Sequence, residues 1–219
     1  MARISRRNLL ASSIAVPIIG HGAHAERATP PHGFAPAESG REVLRKRLFP
    51  DVELITHNRR QMRFYSDLLE GKIVVLNLMY ADCTGVCPTI TAHLLRAQRI
   101  LGQRVNYPIQ IYSLTINPKE DTPEKLREYA QMHGISRNWT LLTGKPEKLE
   151  LLRRSLGYVD PKPDLDKDKA RHSGMLRYGN EPQCLWGSCQ GSAHPEWIAE
   201  EISFVVPQKY KKVAPRHDS

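Results

Sequence analysis

The sequence lacks the features that mark a disulfide-scaffolded, repetitive or nucleic-acid-binding protein. Its 4 cysteines among 219 residues are too few for a disulfide scaffold, and a chain of this length can bury a core without one. No segment repeats another, and no basic motif is interleaved with aromatic residues, so we expect no nucleic-acid partner. The net charge of +9 is dispersed, which indicates a solvated basic surface, with an acidic docking partner as the alternative.

The N-terminus has the pattern of an export signal. Three arginines precede a short apolar stretch at 9–19, and Ala23 and Ala25 are the small residues that a signal peptidase needs. The sequence SRRNLL at 5–10 resembles a twin-arginine signal, and a basic signal of the general secretion route is the alternative. The apolar stretch is shorter than the about 20 residues that cross a bilayer. We therefore predict a signal peptide over 1–25 and a soluble, periplasmic protein that meets a membrane only through its partner.

Composition divides the remainder into three parts. Residues 26–47 are rich in Ala, Pro, Gly and charge, which predicts a flexible lead-in. Residues 48–206 form the predicted compact domain, and residues 207–219 form a basic C-terminal tail that we expect to be loose.

Within the predicted domain, strand patterns alternate with helix patterns. The near-continuous apolar runs at 73–80 and 109–116 are typical of strands buried on both faces. Apolar residues at helical spacing follow the first run at 89–101. A second helix is predicted to open at Pro123, with Asp121 or Thr122 as its cap. This βαβ order predicts an α/β fold with a parallel or mixed sheet between helices.

The chemistry of the sequence is concentrated at Cys83 and Cys87, which lie between the first buried strand and its helix. A cysteine at a helix N-terminus is favoured as the thiolate, the form that binds metals and attacks disulfides. The pair can seat a soft ion or close a local disulfide. Three intervening residues make a wider loop than a Cys-x-x-Cys motif and favour a metal, and thiolates favour Cu(I), although zinc uses the same ligands. A purely structural disulfide is disfavoured because closing so short a loop gains little entropy.

An ordered set of motifs resembles the Sco/SenC family of copper chaperones. The sequence CTGVCP at 83–88 resembles the family's Cys-x-x-x-Cys-Pro motif, and NPKEDTP at 117–123 resembles its Asp-Pro-x-x-Asp-Thr-Pro segment. LTG at 142–144 resembles the family's Thr-Gly segment, and His172 resembles the single histidine that completes its copper site. The resemblance covers about residues 48–205 and implies a thioredoxin-like fold with a central mixed sheet flanked by helices.

The resemblance also implies a function. Cys83, Cys87 and His172 would bind copper as Cu(I) or Cu(II), for delivery to the dinuclear copper centre of cytochrome c oxidase or to a similar exported copper enzyme. The partners would be the apoprotein of that enzyme, such as an oxidase subunit, and a thiol reductant protein. No substrate turnover is needed. The alternative is a thiol–disulfide oxidoreductase, in which Cys83 and Cys87 are redox-active and keep the cysteines of a copper-site apoprotein reduced.

Two features depart from the family pattern. Asn117 stands where the family has Asp, and residues 180–194 do not resemble the hairpin that follows the family's histidine. That second segment contains Cys184 and Cys189. We expect a local disulfide between them, with a second redox pair that exchanges with the first as the alternative.

Four further residues have both a structural and a functional interpretation. Asp121 and Glu124 could be functional carboxylates, but capping of the helix that follows explains them without further assumption. Met79 and Met175 could be soft copper ligands, but both lie in apolar runs, which favours core packing.

Overall fold

The structure, a computed structural model, describes residues 39–135, 137–166 and 174–212. The predicted signal peptide and His172 lie outside these residues. Within them, no helix is both long and apolar enough to cross a membrane.

Seven strands of the described chain form one mixed sheet. In chain order they are β1 (Glu53–Thr56), β2 (Gln61–Arg63), β3 (Ile73–Met79), β4 (Ile109–Thr115), β5 (Trp139–Thr143), β6 (Met175–Asn180) and β7 (Leu185–Gln190). Their order across the sheet is β2-β1-β5-β4-β3-β6-β7. The strands β3, β4 and β5 run parallel, and the other neighbours are antiparallel. The prediction of a central mixed sheet is confirmed.

Helices cover both faces of this sheet. They are α1 (Gly40–Leu48), α2 (Val86–Arg104), α3 (Pro123–Met132), α4 (Pro146–Ser155), α5 (Pro163–Asp166) and α6 (Pro195–Phe204), with short helical turns at Phe64–Leu69 and Gln208–Tyr210. One core contains Leu94 of α2, Leu126 of α3 and Ile198 of α6. The other contains Leu152 of α4 and apolar residues of the first helical turn.

The two long apolar runs form the centre of the sheet, as predicted. Every side chain of β3 except Leu78 is buried, and every side chain of β4 except Gln110. Alternate residues of β3 enter opposite cores, Val75 on the side of α2 and Leu76 on the side of α4. Burial on both faces explains why these strands read as continuous apolar runs.

Part of the segment expected to be a flexible lead-in forms helix α1. Ser39 caps this helix, because its side-chain oxygen accepts the N–H of Glu42 at 3.2 Å. Three basic residues in the last turn complement the negative end of the helix dipole. The cap and the charges at the end of the helix stabilise α1 although the segment has the polar composition from which flexibility was predicted.

Strands β6 and β7 form a regular antiparallel hairpin, although the sequence of residues 180–194 does not resemble the hairpin of the family pattern. The connecting turn contains no glycine. Instead, the backbone and side-chain oxygens of Asn180 accept the N–H of Gln183 at 3.2 and 3.3 Å, and Cys184 adopts a left-handed φ of 51°. An asparagine-centred turn of this kind carries little of the usual hairpin signal.

The hairpin also excludes the local disulfide expected between Cys184 and Cys189. Both cysteines are free, and the chain between them is the extended strand β7. Five extended residues separate their Cα atoms by about 16 Å. A disulfide requires about 7 Å or less.

The first residues of the predicted tail, 207–212, pack against the end of α2 instead of lying loose. The Tyr210 ring lies against the Tyr107 ring with centroids 4.7 Å apart. The N–H of Lys212 donates to the carbonyl of Arg104 at 2.8 Å. Aromatic packing and backbone hydrogen bonds therefore order these residues, although their basic composition predicted a loose tail.

Candidate metal centre

The dithiol lies where the central strand β3 passes into helix α2. Since β3 ends at Met79 and α2 begins at Val86, Cys83 is in the connecting loop and Cys87 is in the first turn of the helix. Gly85 precedes the helix without a side-chain cap. The first-turn N–H groups are therefore available to the thiols, as the strand–helix pattern of the sequence predicts.

Cys83 and Cys87 are equally buried but differ in acidity. Both are free thiols, 8% and 7% exposed. Burial raises the pKa of Cys83, but hydrogen bonds from Cys87, from the N–H of Gly85 and from the Tyr80 side chain outweigh it and hold the pKa below its usual value. Burial and the hydrogen bond to Cys83 raise the pKa of Cys87. Cys83 is therefore the more acidic thiol of the pair, and Cys87 donates the hydrogen bond between them.

A cavity of about 160 Å³ opens beside the dithiol. Cys83, Cys87 and Met79 contribute to one part of its lining. Asp166 and Gly174, which come much later in the chain, contribute to another. The cavity thus joins the end of β3 to the segments on either side of residues 167–173.

The chain that leads to Asp166 is held by Arg153 of α4. The Arg153 guanidinium donates to both carboxylate oxygens of Asp166, at 2.6 and 2.7 Å, and to the carbonyl of Tyr158 at 2.6 Å. The hydrogen bond from Arg153 holds the pKa of Asp166 well below its usual range. The two side chains are 8% and 11% exposed, so the pair is shielded from water. The ion pair therefore fixes this wall of the cavity.

Gly174 lines the cavity next to helix α2. Its φ is +59°, and a Cβ there would lie 3.1 Å from the side chain of Ile90 in α2, so the position favours glycine. Its carbonyl accepts the N–H of Gly191 at 2.8 Å. His172 is two residues before Gly174 but lies outside the described residues, so its ligand role stays a prediction. In the described part of the chain, His, Cys, Asp and Glu side chains form no group of three that could hold a metal ion.

The expectation that Asp121 caps α3 is wrong. Thr122 is the cap, because its hydroxyl accepts the N–H of Lys125. Asp121 is fully buried and accepts hydrogen bonds from the N–H of Ala81 and the hydroxyl of Thr115. Burial raises its pKa, and these hydrogen bonds partly oppose that effect. Sequence reasoning missed this contact because its partner Ala81 is 40 positions away.

The other acidic residues near this loop are exposed. Asp82 pairs with Lys125 of α3, with side chains 62% and 30% exposed, and Glu124 pairs with Arg59. Ion pairs in such positions contribute little to stability. Glu124 lies in the first turn of α3, where an acid favours the helix.

The three remaining candidate residues differ in whether they line the dithiol cavity. The Asn117 side chain donates to the carboxylate of Glu120 at 2.9 Å, and its N–H donates to the hydroxyl of Thr115 at 2.9 Å. Asn117 thus belongs to the turn before α3 and is not among the described residues that line the dithiol cavity. Met79 packs in the core, as expected, and Met175 is half-buried. Both methionines line the cavity.

A mixed sheet with helices on both faces, and a buried dithiol between a central strand and its helix, define a thioredoxin-like protein. The SCO1/SenC family model matches residues 44–206, and the chain belongs to that family. The match spans the region that the sequence motifs indicate.

Individual relatives agree with this assignment. The SCO1 protein homolog of Bacillus subtilis is 25% identical over 150 residues, which cover 67% of this chain and 77% of the relative. A crystal structure of Arabidopsis thaliana ScoI with copper bound superposes with a TM-score of 0.60 at 17% identity, over 74% of this chain and 99% of that one. BsSco, a member of the Sco family of cytochrome c oxidase assembly proteins in which a disulfide switch was identified, gives a TM-score of 0.57 at 21% identity, over 70% and 90% of the two chains. The structural likenesses establish the thioredoxin-like fold.

Proposed function

We propose that this protein carries copper and delivers it to an exported copper enzyme, such as the dinuclear copper centre of cytochrome c oxidase. Copper is its cargo, and the ligands are Cys83, Cys87 and His172. Membership of the SCO1/SenC family supports the proposal, as do the copper-bound Arabidopsis relative and the place of BsSco among cytochrome c oxidase assembly proteins.

One observation carries the assignment of the ligands. The free thiols of Cys83 and Cys87 line a single cavity together with Gly174, which is two residues from His172. Thiolates bind Cu(I), and an added imidazole lets the same site hold Cu(II). The lowered pKa of Cys83 favours its thiolate, and the raised pKa of Cys87 means that Cys87 loses its proton only when the metal binds.

Titration of the reduced protein with Cu(I) and Cu(II) tests this proposal. We expect one tightly bound copper, which Cys83→Ala and His172→Ala each weaken by at least about tenfold, as expected for loss of a ligand. Two controls match these variants: Cys184→Ala removes an exposed cysteine, and His194→Ala removes a histidine whose side chain is 76% exposed. Both should bind copper like the unmodified protein.

Two results would contradict the proposal in different ways. If His172→Ala and His194→Ala bind copper equally well, His172 is not a ligand. If the unmodified protein binds copper no better than Cys83→Ala but reduces disulfides, the protein is a thiol–disulfide oxidoreductase.

That second function is favoured by the unequal acidity of the pair. A thiolate at Cys83 can attack a disulfide, and the thiol of Cys87 can then resolve the mixed disulfide. The disulfide switch of BsSco is further support. The protein would keep the cysteines of a copper-site apoprotein reduced, and a thiol reductant protein would restore its own dithiol. The same cysteines serve both functions.

We also propose that residues 1–25 are a twin-arginine-like signal peptide that directs the protein to the periplasm. The arginines, the apolar stretch and the small residues before position 26 support this proposal. In an oxidising compartment a cysteine pair stays reduced only if a metal or a reductant protects it, which is consistent with both proposed functions.

A further inference from the structure

A buried carboxylate lies behind the loop that carries Cys83. Asp121 is 0% exposed, and its two oxygens lie 3.3 and 3.2 Å from the backbone nitrogen of Ala81. It also accepts the hydroxyl proton of Thr115, which is the last residue of β4. Carboxylates are rarely buried unless they are paired or hydrogen-bonded, because removing the charge from water is costly.

These hydrogen bonds join three segments at the dithiol end of the sheet. Ala81 follows the end of β3, Thr115 ends β4, and Asp121 precedes the cap of α3. Ala81 also lies inside a turn in which the N–H of Cys83 donates to the carbonyl of Tyr80 at 3.2 Å. A carboxylate that holds the N–H of Ala81 therefore holds the turn that places Cys83.

Two interactions near Asp121 do not replace its hydrogen bond with the N–H of Ala81. Thr122 already caps α3, so the helix does not need the carboxylate of Asp121. The ion pair between Asp82 and Lys125 also joins the loop to α3, but it is exposed and does not reach the backbone of the turn.

We propose that Asp121 is a positioning residue of the dithiol: by binding the N–H of Ala81 it sets the path of the Tyr80–Cys83 turn, and thereby the position of the Cys83 sulfur relative to that of Cys87. An effect of Asp121 on copper affinity rests on the proposed function. An effect on disulfide formation does not, because a disulfide between Cys83 and Cys87 also requires the two sulfurs to lie close together.

Asp121→Asn tests the proposal with little change of shape. Thr115 donates to one oxygen of the native carboxylate, whereas the N–H of Ala81 donates to both oxygens. In the amide an NH2 group replaces one of these oxygens and opposes the N–H of Ala81 with another donor. We expect copper affinity to fall about tenfold, the lower end of the loss seen when a partner of the ligand itself is removed, because Asp121 binds the backbone two residues before Cys83.

The dithiol–disulfide equilibrium of the same variant is measured by incubation with reduced and oxidised glutathione. In this reaction the dithiol is oxidised to a disulfide, one oxidised glutathione is reduced, and the two thiol protons pass to the two glutathione thiols formed. We expect the equilibrium constant to change about tenfold or more, which corresponds to about 30 mV.

Glu181→Gln is the matched control. Glu181 is also buried, and its carboxylate also accepts one hydroxyl, from Tyr65 at 2.7 Å, and one N–H, from Gly71 at 2.9 Å. It follows Asn180, which pairs with the first residue of β3, so it lies about 20 Å from the dithiol end. We expect it to lower the thermal midpoint and to leave the copper affinity and the glutathione equilibrium within about twofold of the native values.

Thr115→Val is a second test variant, because it removes the hydrogen bond to Asp121, together with the one from the N–H of Asn117, without touching the loop that carries Cys83. It should change both measurements in the same direction as Asp121→Asn, by a smaller factor, and it carries the test if Asp121→Asn does not fold. The proposal is overturned if the variants at 121 and 115 match Glu181→Gln in both measurements at equal loss of stability. If the unmodified protein binds no copper, the proposed copper function fails, and the glutathione equilibrium still decides the role of Asp121.

Discussion

Cys83 and Cys87 show how two identical side chains with the same burial acquire different chemistry. Their exposed fractions are nearly equal, so access does not distinguish them. The distinction arises because Cys83 accepts hydrogen bonds, including one from Cys87, whereas Cys87 donates its proton. Hydrogen bonds to the charged form favour ionisation, and burial without them opposes it.

This asymmetry predicts selective alkylation of the reduced, metal-free protein. As the pH rises from about 6 to 9, Cys83 should react first, because each unit of pKa difference changes the thiolate fraction about tenfold. Cys87, whose pKa is raised, should need a higher pH. Brief treatment with iodoacetamide followed by peptide mass measurement gives both pH profiles. Equal profiles for the two cysteines would contradict the difference in their acidity.

At the scale of elements, the hairpin of β6 and β7 separates the second pair of cysteines. Cys184 is exposed in the turn, whereas Cys189 is 6% exposed and lies in the core on the side of α2 and α6. The turn is also at the opposite end of β3 from the dithiol, because Ile73 pairs with Asn180. Cys184 therefore cannot exchange with the dithiol within one folded molecule, which excludes the second redox pair as an intramolecular arrangement.

Peptide mapping of unreduced protein should find no bond between Cys184 and Cys189. In the native protein Cys184 should be alkylated rapidly. Cys189 should react only after unfolding, because it is buried and burial raises its pKa to about 12. A peptide in which the two are joined by a disulfide would show that β7 is not extended in solution.

At the scale of the whole molecule, one sheet supports two cores. The side chains of β3 enter both, so either core is lost if the strand is displaced. The loop that carries Cys83 begins where this strand ends, which places the dithiol beside a strand that is buried on both faces.

A truncation in the centre of the sheet should therefore destabilise the whole domain. Leu76 of β3 is 0% exposed, and Leu76→Ala should lower the free energy of unfolding by about 2–5 kcal/mol. Leu151 of α4 is 47% exposed, and Leu151→Ala should cost less than about 1 kcal/mol, since alanine is also a good helix former. Urea denaturation followed by circular dichroism measures both. Similar losses for the two variants would contradict the central role of β3.

The parts of the fold that were predictable are those whose signals are local in sequence. The apolar runs of β3 and β4 reflect burial on both faces, and the position of Cys83 and Cys87 between a strand and a helix can be read from adjacent segments. The turn at Asn180 is also local, but its φ-positive position is occupied by Cys184 and not by glycine or asparagine, so it was missed.

The sequence by itself determined the α/β class, the family and the cysteine pair, because strand burial, helix spacing and motif order are properties of neighbouring residues. Only the tertiary structure decided which thiol has the lower pKa, that Cys184 and Cys189 stay apart, and that Asp121 holds the loop of Cys83. Each of these depends on hydrogen bonds, burial or strand geometry between groups that folding brings together or separates. Asp121 is the clearest case: its neighbours in sequence indicate a helix cap, whereas its partner is 40 positions away, across the end of the sheet.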